Sequence, residues 1–221
     1  GAARDRGLDV TTETYPYTAA STSIQSSLFE DGWQERLGIT YKDVQWQDTG
    51  ERLTKETFNK YRKRKGVVII HMMQEEMIEL AVKTPFVMIA SDAMPYAPGA
   101  HPRSAGTFAR VLGRYVREKG LIDLMTALRK MTLMPAQRME GIAPAMKKKG
   151  RLQVGADADL VVFDPKTIID TATYIDGLSY SKGIHHVLVS GQSVVDDGKL
   201  VEDSFPGTIV IGSSDNNAKN P

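Results

Sequence analysis

The sequence predicts an α/β protein in which buried strands alternate with amphipathic helices and a small β region follows. Two apolar runs, GVVII at 66–70 and FVMIA at 86–90, flank the segment 73–82, whose apolar residues lie on one helical face. This spacing predicts two parallel strands joined by a right-handed crossover. No glycine-rich dinucleotide loop follows any strand, so the later part of a (β/α)8 TIM-like barrel fits better than an open Rossmann sheet.

The first part of the chain has weaker patterns. The opening residues predict the end of a helix with Gly7 as its C-cap, and LDVTTETY at 8–15 predicts a strand. Residues 16–50 are long for a structureless connection, which indicates a functional loop or short helices. The segment 54–65 predicts a helix whose basic C-terminal end complements the helix dipole.

Apolar spacing predicts three further helices, at 108–120, at 121–131 and from Thr132 to about Gly141. The pattern then changes to short strands separated by turns, at 158–163, 184–190 and 193–195. We therefore predict three regions of the chain. They are a partial barrel over 1–148, part of a β-sandwich over 149–210 and a disordered tail over 211–221.

Composition excludes several classes of protein. The chain has 28 basic and 27 acidic residues, so its net charge of +1 favours neither nucleic acid nor an anionic membrane as a partner. No apolar run is long enough to predict a transmembrane helix. The absence of cysteine excludes disulfides and thiolate metal ligands within these residues, but it does not identify the compartment.

Asp92 is the first candidate catalytic residue, because it comes directly after the apolar run that ends at Ala90. Catalytic groups of barrel enzymes lie at the carboxyl ends of the strands. A carboxylate at that place can accept a proton from a metal-bound water. His71 has the corresponding position after GVVII. Asp92 can equally be a turn or N-cap aspartate, and His71 a hydrogen-bonded core histidine.

Arg103 follows on the same loop, and its planar guanidinium suits bidentate capture of a substrate carboxylate. Arg103 can instead form a structural ion pair with Asp92. His101, beside Pro102, can serve either loop packing or substrate contact. The adjacent histidines 185 and 186 point to opposite faces of a strand and cannot chelate as a pair.

Several stretches of the chain closely resemble the N-acyl-D-amino-acid deacylases (D-aminoacylases) of the amidohydrolase superfamily. The matching segments include TYPYTAAST (14–22), HMMQEEMIELAVKTPFVMIASDA (71–93), HPRSAGTFARVLGRYVREKG (101–120), RKMTLMPAQRM (129–139), KGRLQVGADADLVVFDP (149–165) and GIHHVLVSGQSVVDDGK (183–199). Together they cover most of residues 8–200. Family members more usually have glycine where this chain has Ala93, and alanine adopts a positive φ less easily.

The resemblance implies a zinc-dependent (β/α)8 barrel with an attached β-sandwich that hydrolyses the amide bond of N-acyl-D-amino acids. By position, Asp92 corresponds to the general acid/base, which is also a possible metal ligand. Arg103 corresponds to the arginine suited to the substrate carboxylate. The resemblance places Tyr15 and Ser21 near the substrate pocket, and we include His101 among the substrate-binding candidates. It also favours a bacterial, cytoplasmic enzyme.

The zinc ligands of the family, a His-x-His pair, a cysteine and further histidines on earlier strands, have no counterpart in this sequence. Catalytic zinc usually has about three protein ligands. We therefore expect a C-terminal half that is inactive alone, binds no zinc by itself, and associates with itself or with the missing half. Exposed strand edges would favour such association.

Two other functions remain open at this stage. The first is a non-catalytic half-barrel that serves binding or assembly, with Asp92 and Arg103 merely paired. The second is a hydrolase of a cyclic amide such as a hydantoin or dihydropyrimidine. Arg103 argues against the second function, because a neutral ring offers no carboxylate for the guanidinium.

Overall fold

The computed structural model describes residues 1–94, 97 and 99–213. Its α-helices are α1 (Ala2–Asp5), α2 (Trp33–Leu37), α3 (Lys55–Arg64), α4 (Glu75–Lys83), α5 (Arg103–Arg110), α6 (Leu124–Met131) and α7 (Leu133–Met139). Its strands are β1 (Thr12–Thr14), β2 (Ala19–Ser23), β3 (Val44–Trp46), β4 (Val67–His71), β5 (Val87–Ile89), β6 (Leu160–Phe163), β7 (Ile184–Val189), β8 (Gln192–Asp196) and β9 (Lys199–Leu200). Short 3-10 turns lie at Ser27–Phe29, Tyr41–Asp43 and Pro144–Lys148, and a π-helical segment at Val111–Glu118 continues α5.

Most predicted helices are present, with shifted ends. The helix predicted at 54–65 is α3, whose first turn is capped by Thr54: its side chain accepts from the Thr57 amide, and the Thr57 hydroxyl accepts from the Thr54 amide. The helix predicted at 108–120 begins earlier, at Arg103. Its first turn, RSAG, lacks the apolar spacing on which the prediction depended.

The predicted pairing of the two apolar strands is wrong. β4 lies in an antiparallel three-stranded sheet, with β2 on one edge and β3 on the other. β5 instead pairs in parallel with β1, with Thr14 opposite Ile89. β2 reads AASTS and β3 reads VQW, so neither has the apolar run that predicts a strand, although both complete the hydrogen bonding of β4.

The apolar interior forms two clusters. The first lies under the three-stranded sheet and is rich in aromatic rings; Trp33 stacks on Phe58, and Trp46 stacks on Tyr61 at 4.2 Å between ring centroids. The second lies between β5 and the helices α4, α5 and α6 and contains the buried Tyr115. The helix-covered side of β5 is therefore core, and its carboxyl end leads to Asp92.

The C-terminal region contains one antiparallel sheet of four strands in the order β6-β7-β8-β9. β6, β7 and β8 correspond to the three predicted strands, and the short β9 was not predicted. The segment that joins β6 and β7 packs on α5, where the Ser181 hydroxyl donates to the Ala105 carbonyl, and also on the loop that precedes α5. An ideal Cβ at Gly177 would lie 1.6 Å from the Ala100 carbonyl oxygen, so this approach requires glycine.

Of the predicted tail, Ser213 donates its amide to the Ile142 carbonyl, and residues 214–221 lie outside the described residues. Within the described part of the chain, no helix combines the length and the apolar character that crossing a membrane requires.

Candidate functional site

Asp92 lies just past the carboxyl end of β5, with a positive φ of 47°. Aspartate tolerates the left-handed region better than most residues, so the sharp change of direction falls on Asp92 itself. Ala93 is not among the positive-φ residues, and the Gly-to-Ala difference from the family therefore carries no backbone strain here. The Asp92 side chain is 64% exposed and its Oδ2 lies 2.9 Å from Arg103 Nη2.

Arg103, the first residue of α5, is almost completely buried, with 2% of its side chain exposed. Besides Asp92, its Nη2 contacts the Ser21 carbonyl oxygen at 3.4 Å. The guanidinium lies over the Tyr15 ring at 4.7 Å. Its Nε is buried and has no hydrogen-bond partner among the described residues. A buried cation with one exposed carboxylate partner and an unused donor is a favourable place for an anion.

His101 is completely buried, and both of its ring nitrogens are occupied. Nδ1 accepts a hydrogen bond from the Arg103 amide at 3.0 Å, so the proton lies on Nε2, which donates to the Ala19 carbonyl oxygen at 2.9 Å. Burial, together with the nearby Arg103 charge, lowers the pKa of His101 to about 3. These contacts favour the loop-packing alternative over direct substrate contact.

Tyr15 and Ser21 complete the surroundings of the guanidinium. Burial raises the pKa of the Tyr15 hydroxyl, and the positive charge of Arg103 opposes that shift. The Ser21 hydroxyl is buried without a hydrogen-bond partner in the described part of the chain. The Tyr15 ring, the Ser21 carbonyl and the Asp92 carboxylate all contact Arg103. All five predicted site residues are therefore in one place.

The other histidines lie outside this group. His71, at the end of β4, donates from Nε2 to the Gln45 side-chain oxygen at 3.0 Å and packs edge-on against Tyr174. Burial lowers the pKa of His71 to about 4. His186 pairs with Asp196 in the C-terminal sheet. His71 is thus a hydrogen-bonded core histidine, as one of the two alternatives predicted.

A cavity of about 390 Å³ opens beside Asp92. It is lined by Glu13, Thr14, Tyr15, Met73, Ala90 and Asp92. The sequence-based prediction missed Glu13 and Met73 at this place. The signal for Glu13 was available, because Glu13 and Tyr15 are two residues apart in the strand predicted at 8–15, and residues at that spacing share a face. The cavity places a second carboxylate close to the candidate base.

A buried ion pair supports the segment that carries Tyr15. Asp170, 5% exposed, accepts hydrogen bonds from Arg110 at 3.0 Å and from the Tyr17 hydroxyl at 3.1 Å. Arg110 also donates from Nε to the Pro16 carbonyl at 2.7 Å. Opposite charges buried together stabilise a fixed geometry when their hydrogen bonds are satisfied. No sequence signal pairs residues 60 positions apart, and this network was missed.

The described residues contain no group of three His, Cys, Asp or Glu side chains arranged to hold a metal ion. Asp92, the possible ligand, has its Oδ2 engaged by Arg103. About three protein ligands are usual for catalytic zinc, so these residues by themselves do not fit a zinc site. The arrangement on its own offers a carboxylate base beside an anion-binding arginine.

Residues 1–195 match the model of an amidohydrolase family. A D-aminoacylase from Alcaligenes xylosoxydans xylosoxydans is 38% identical over 195 residues, covering 84% of this chain and 39% of the relative. An N-acyl-D-glutamate deacylase from the same organism is 36% identical, covering 87% of this chain and 40% of the relative. The chain thus spans about 40% of the length of these two relatives. The resemblance inferred from the sequence motifs is confirmed.

Solved structures agree with these relatives. The crystal structure of N-acyl-D-glutamate deacylase from Bordetella bronchiseptica, complexed with zinc and a phosphonate inhibitor that mimics the tetrahedral intermediate, is 33% identical with a TM-score of 0.74. It matches 90% of this chain and 43% of its own. A crystal structure of D-aminoacylase matches 91% of this chain and 43% of its own, with 31% identity and a TM-score of 0.73.

Proposed function

Because the chain belongs to the amidohydrolase family, we propose that it is part of an enzyme that hydrolyses the amide bond of N-acyl-D-amino acids. The names of the most similar relatives supply the substrate class and its stereochemistry. The observation that carries the proposal is the contact between a buried arginine, Arg103, and an exposed carboxylate, Asp92, at the end of β5. That contact combines a carboxylate receptor and a proton acceptor in one site.

In this proposal Arg103 binds the α-carboxylate of the substrate. A guanidinium accepts a carboxylate through parallel N–H donors, and Arg103 Nε is a buried donor that no described residue uses. The Ser21 hydroxyl is a second unused donor close by. The Tyr15 ring lies under the guanidinium and restricts its orientation in the site. We propose that a bound carboxylate accepts from both donors, which requires a rearrangement because both atoms are buried in the substrate-free structure.

Asp92 serves as the general base and acid. Its carboxylate takes a proton from the attacking water and then delivers it to the amide nitrogen, so that the C–N bond breaks into a carboxylate and a free amine. In the substrate-free arrangement Asp92 is held by Arg103. A substrate carboxylate competes for the same guanidinium, and binding therefore releases Asp92 for proton transfer.

Zinc belongs to the proposal for the complete enzyme only. A similar solved structure contains zinc, and zinc supplies Lewis-acid activation of water in such hydrolases. The described residues contain no group of three side chains arranged as metal ligands. We propose that the remaining ligands come from a complementary half, and that the full protein is a (β/α)8 barrel with a β-sandwich in the bacterial cytoplasm. Pairing with that half, or self-association, would cover the outer edges of β1 and β5, which no other strand of the described residues pairs.

The test is hydrolysis of N-acetyl-D-methionine by the 221-residue chain supplied with zinc and the N-terminal half of a D-aminoacylase. We expect turnover of the D-enantiomer, loss of kcat in Asp92→Asn, and a raised KM in Arg103→Ala. Each half assayed alone is the control. Unchanged kcat in Asp92→Asn would overturn the role of Asp92, and an unchanged KM in Arg103→Ala would point to a neutral cyclic amide as the substrate.

The Asp92–Arg103 ion pair itself favours a second candidate, a non-catalytic half-barrel for binding or assembly. In that case the two side chains only stabilise the loop after β5. The reconstituted protein would then assemble and remain folded while hydrolysing no N-acyl amino acid of either hand. The same assay therefore separates the two candidates.

A further inference from the structure

We propose that His101 is a positioning residue of this site, whose neutral ring holds Arg103 against β2 and so sets where the guanidinium lies. The ring does not touch the substrate, since none of its surface is exposed. The benefit to substrate binding rests on the proposed function of Arg103. The hydrogen bonds of the ring do not depend on that function and are tested separately below.

The two ring nitrogens join two different elements. On one side Nδ1 accepts the Arg103 amide at the start of α5, and on the other Nε2–H donates to the Ala19 carbonyl in β2. The Arg103 side chain returns to the same strand, where its Nη2 contacts the Ser21 carbonyl. The backbone of Arg103 is thus linked to β2 through the His101 ring, and its side chain contacts β2 directly. Loss of the ring would remove the link between the Arg103 amide and β2.

Three tyrosine rings enclose the imidazole edge-on. Tyr15, Tyr17 and Tyr174 lie at 6.0, 5.5 and 5.1 Å between ring centroids. Tyr174 comes from the segment between β6 and β7, and its carbonyl accepts a hydrogen bond from the Gln45 side chain at 2.7 Å. An apolar enclosure disfavours a second proton on the ring. The ring therefore keeps one acceptor and one donor, and each has a fixed partner.

Asparagine and glutamine separate these two contacts. Asn at position 101 can offer an oxygen at the Nδ1 position, which keeps the acceptor for the Arg103 amide and loses the donor to Ala19. Gln can offer an N–H at the Nε2 position, which keeps the donor and loses the acceptor. If His101 acts by positioning Arg103, His101→Gln is the more damaging change. If the ring only fills space, His101→Gln is not expected to be more damaging than His101→Asn.

The first test is nuclear magnetic resonance of the uniformly 15N-labelled 221-residue chain. We expect the protonated-Nε2 tautomer of His101, and a scalar coupling across the hydrogen bond from the Arg103 amide nitrogen to Nδ1. Both are measured in the wild-type protein and need no variant to fold. A protonated Nδ1, or no coupling to the Arg103 amide, would overturn the proposal.

The second test is the affinity of the same chain for N-acetyl-D-methionine and for its neutral amide, followed by chemical-shift titration. We expect His101→Gln to weaken binding of the acid about tenfold and His101→Asn by about threefold, the range of one lost hydrogen bond. The amide is expected to be unaffected. His71→Gln is the matched control, because the His71 ring also packs edge-on against Tyr174 but hydrogen-bonds to Gln45 instead of Arg103.

The outcomes distinguish the carboxylate-binding role of Arg103 from the positioning role of His101. If the wild-type chain shows no preference for the acid over the amide, the carboxylate role of Arg103 fails, while the scalar coupling still decides the role of His101. If the coupling is present but His101→Gln binds the acid as tightly as the wild type, His101 does not position the guanidinium. Equal weakening of acid and amide would mean that the ring is only structural.

Discussion

Removal of the Asp92 carboxylate should destabilise the chain and at the same time raise its affinity for a carboxylate ligand. Among the residues that the structure describes, Asp92 is the one acidic partner of the Arg103 guanidinium, which is 2% exposed and lies 2.9 Å away. The change to alanine leaves Arg103 buried without its counter-charge. In this variant a ligand carboxylate does not have to displace Asp92, and on binding it supplies the counter-charge that Arg103 lacks.

The magnitude follows from the exposure of the two partners. A fully exposed ion pair contributes about 0–1 kcal/mol, and a charge-assisted hydrogen bond about 1.5–3 kcal/mol. The pair has one buried and one mostly exposed member, so we expect Asp92→Ala to lower the free energy of unfolding by about 1–2 kcal/mol. For a chain of this length that corresponds to a fall in Tm of about 2–8 °C. The affinity for the ligand should rise about tenfold, because about 1.4 kcal/mol of competition is removed.

The assay is thermal unfolding at several concentrations of N-acetyl-D-methionine, with titration of the same ligand at constant temperature. A ligand that binds the folded state raises Tm with its concentration, and the rise should be steeper in Asp92→Ala than in the wild type. Asp92→Asn should give a smaller effect, since its amide oxygen can still accept from the guanidinium. Asp9→Ala is the matched control: Asp9 pairs with Arg138 but is 81% exposed, so little change is expected.

Two results would refute this reasoning. If Asp92→Ala is as stable as the wild type and binds the ligand equally, the ion pair neither stabilises the fold nor competes with the ligand. If Asp92→Ala loses affinity for the ligand, Asp92 contributes to binding and is not the competitor. Either result would require a different place for the substrate carboxylate.

Three further predictions concern the support of the site. Asp170→Asn should lower the free energy of unfolding in urea by about 3 kcal/mol, because Arg110 keeps its buried charge without a counter-ion. The free energy of unfolding should fall as pH drops from about 6.5 towards 3, because His101 has a pKa of about 3 in the folded chain and is protonated in this range only when the chain is unfolded. His101→Gln should reduce the slope of the free energy of unfolding against pH by about 1.4 kcal/mol per pH unit. Gly177→Ala should cost more than about 2 kcal/mol through its clash with the Ala100 carbonyl, whereas Gly141→Ala, in open space, should be nearly neutral.

Each of these predictions has a contradicting outcome. Full urea stability in Asp170→Asn would mean that the Arg110 charge is solvated. An unchanged pH slope in His101→Gln would assign the acid sensitivity to other groups, of which His71, with its pKa lowered to about 4, is the first. Equal stability of Gly177→Ala and Gly141→Ala would show that the segment between β6 and β7 does not press on residue 100.

The resemblance of sequence motifs predicted the family, and local physical signals predicted much of the secondary structure. Helix α3 has a capping threonine and apolar spacing, and β4 is a continuous apolar run, so local signals suffice. The partner strands of β4 carry no such signal. AASTS at β2 is polar and small, and its strand conformation depends on hydrogen bonding to β4 across the sheet.

In the candidate site, too, local sequence patterns predicted some features and contacts between distant residues decided others. Asp92 and Arg103 were predicted because each follows a strong local pattern, and motif resemblance added Tyr15 and Ser21. The ion pair of Asp92 and Arg103 was one of the alternatives that the sequence left open. The hydrogen bond from His101 to Ala19 and the network around Asp170 link residues far apart in the chain, and no local pattern predicts them. Glu13 was missed although strand alternation places it on the face of Tyr15.

The sequence by itself determined which residues are candidates for the chemistry, since a carboxylate and a guanidinium are properties of the side chains and each lies in a recognisable stretch of the chain. It also determined the local elements, because caps and apolar periodicity act over a few residues. Only the tertiary structure decided that β4 pairs with β2 and β3, that Arg103 is buried against Asp92, and that His101 is neutral. Pairing, burial and pKa depend on groups brought together across long sequence separations, and no local pattern encodes them.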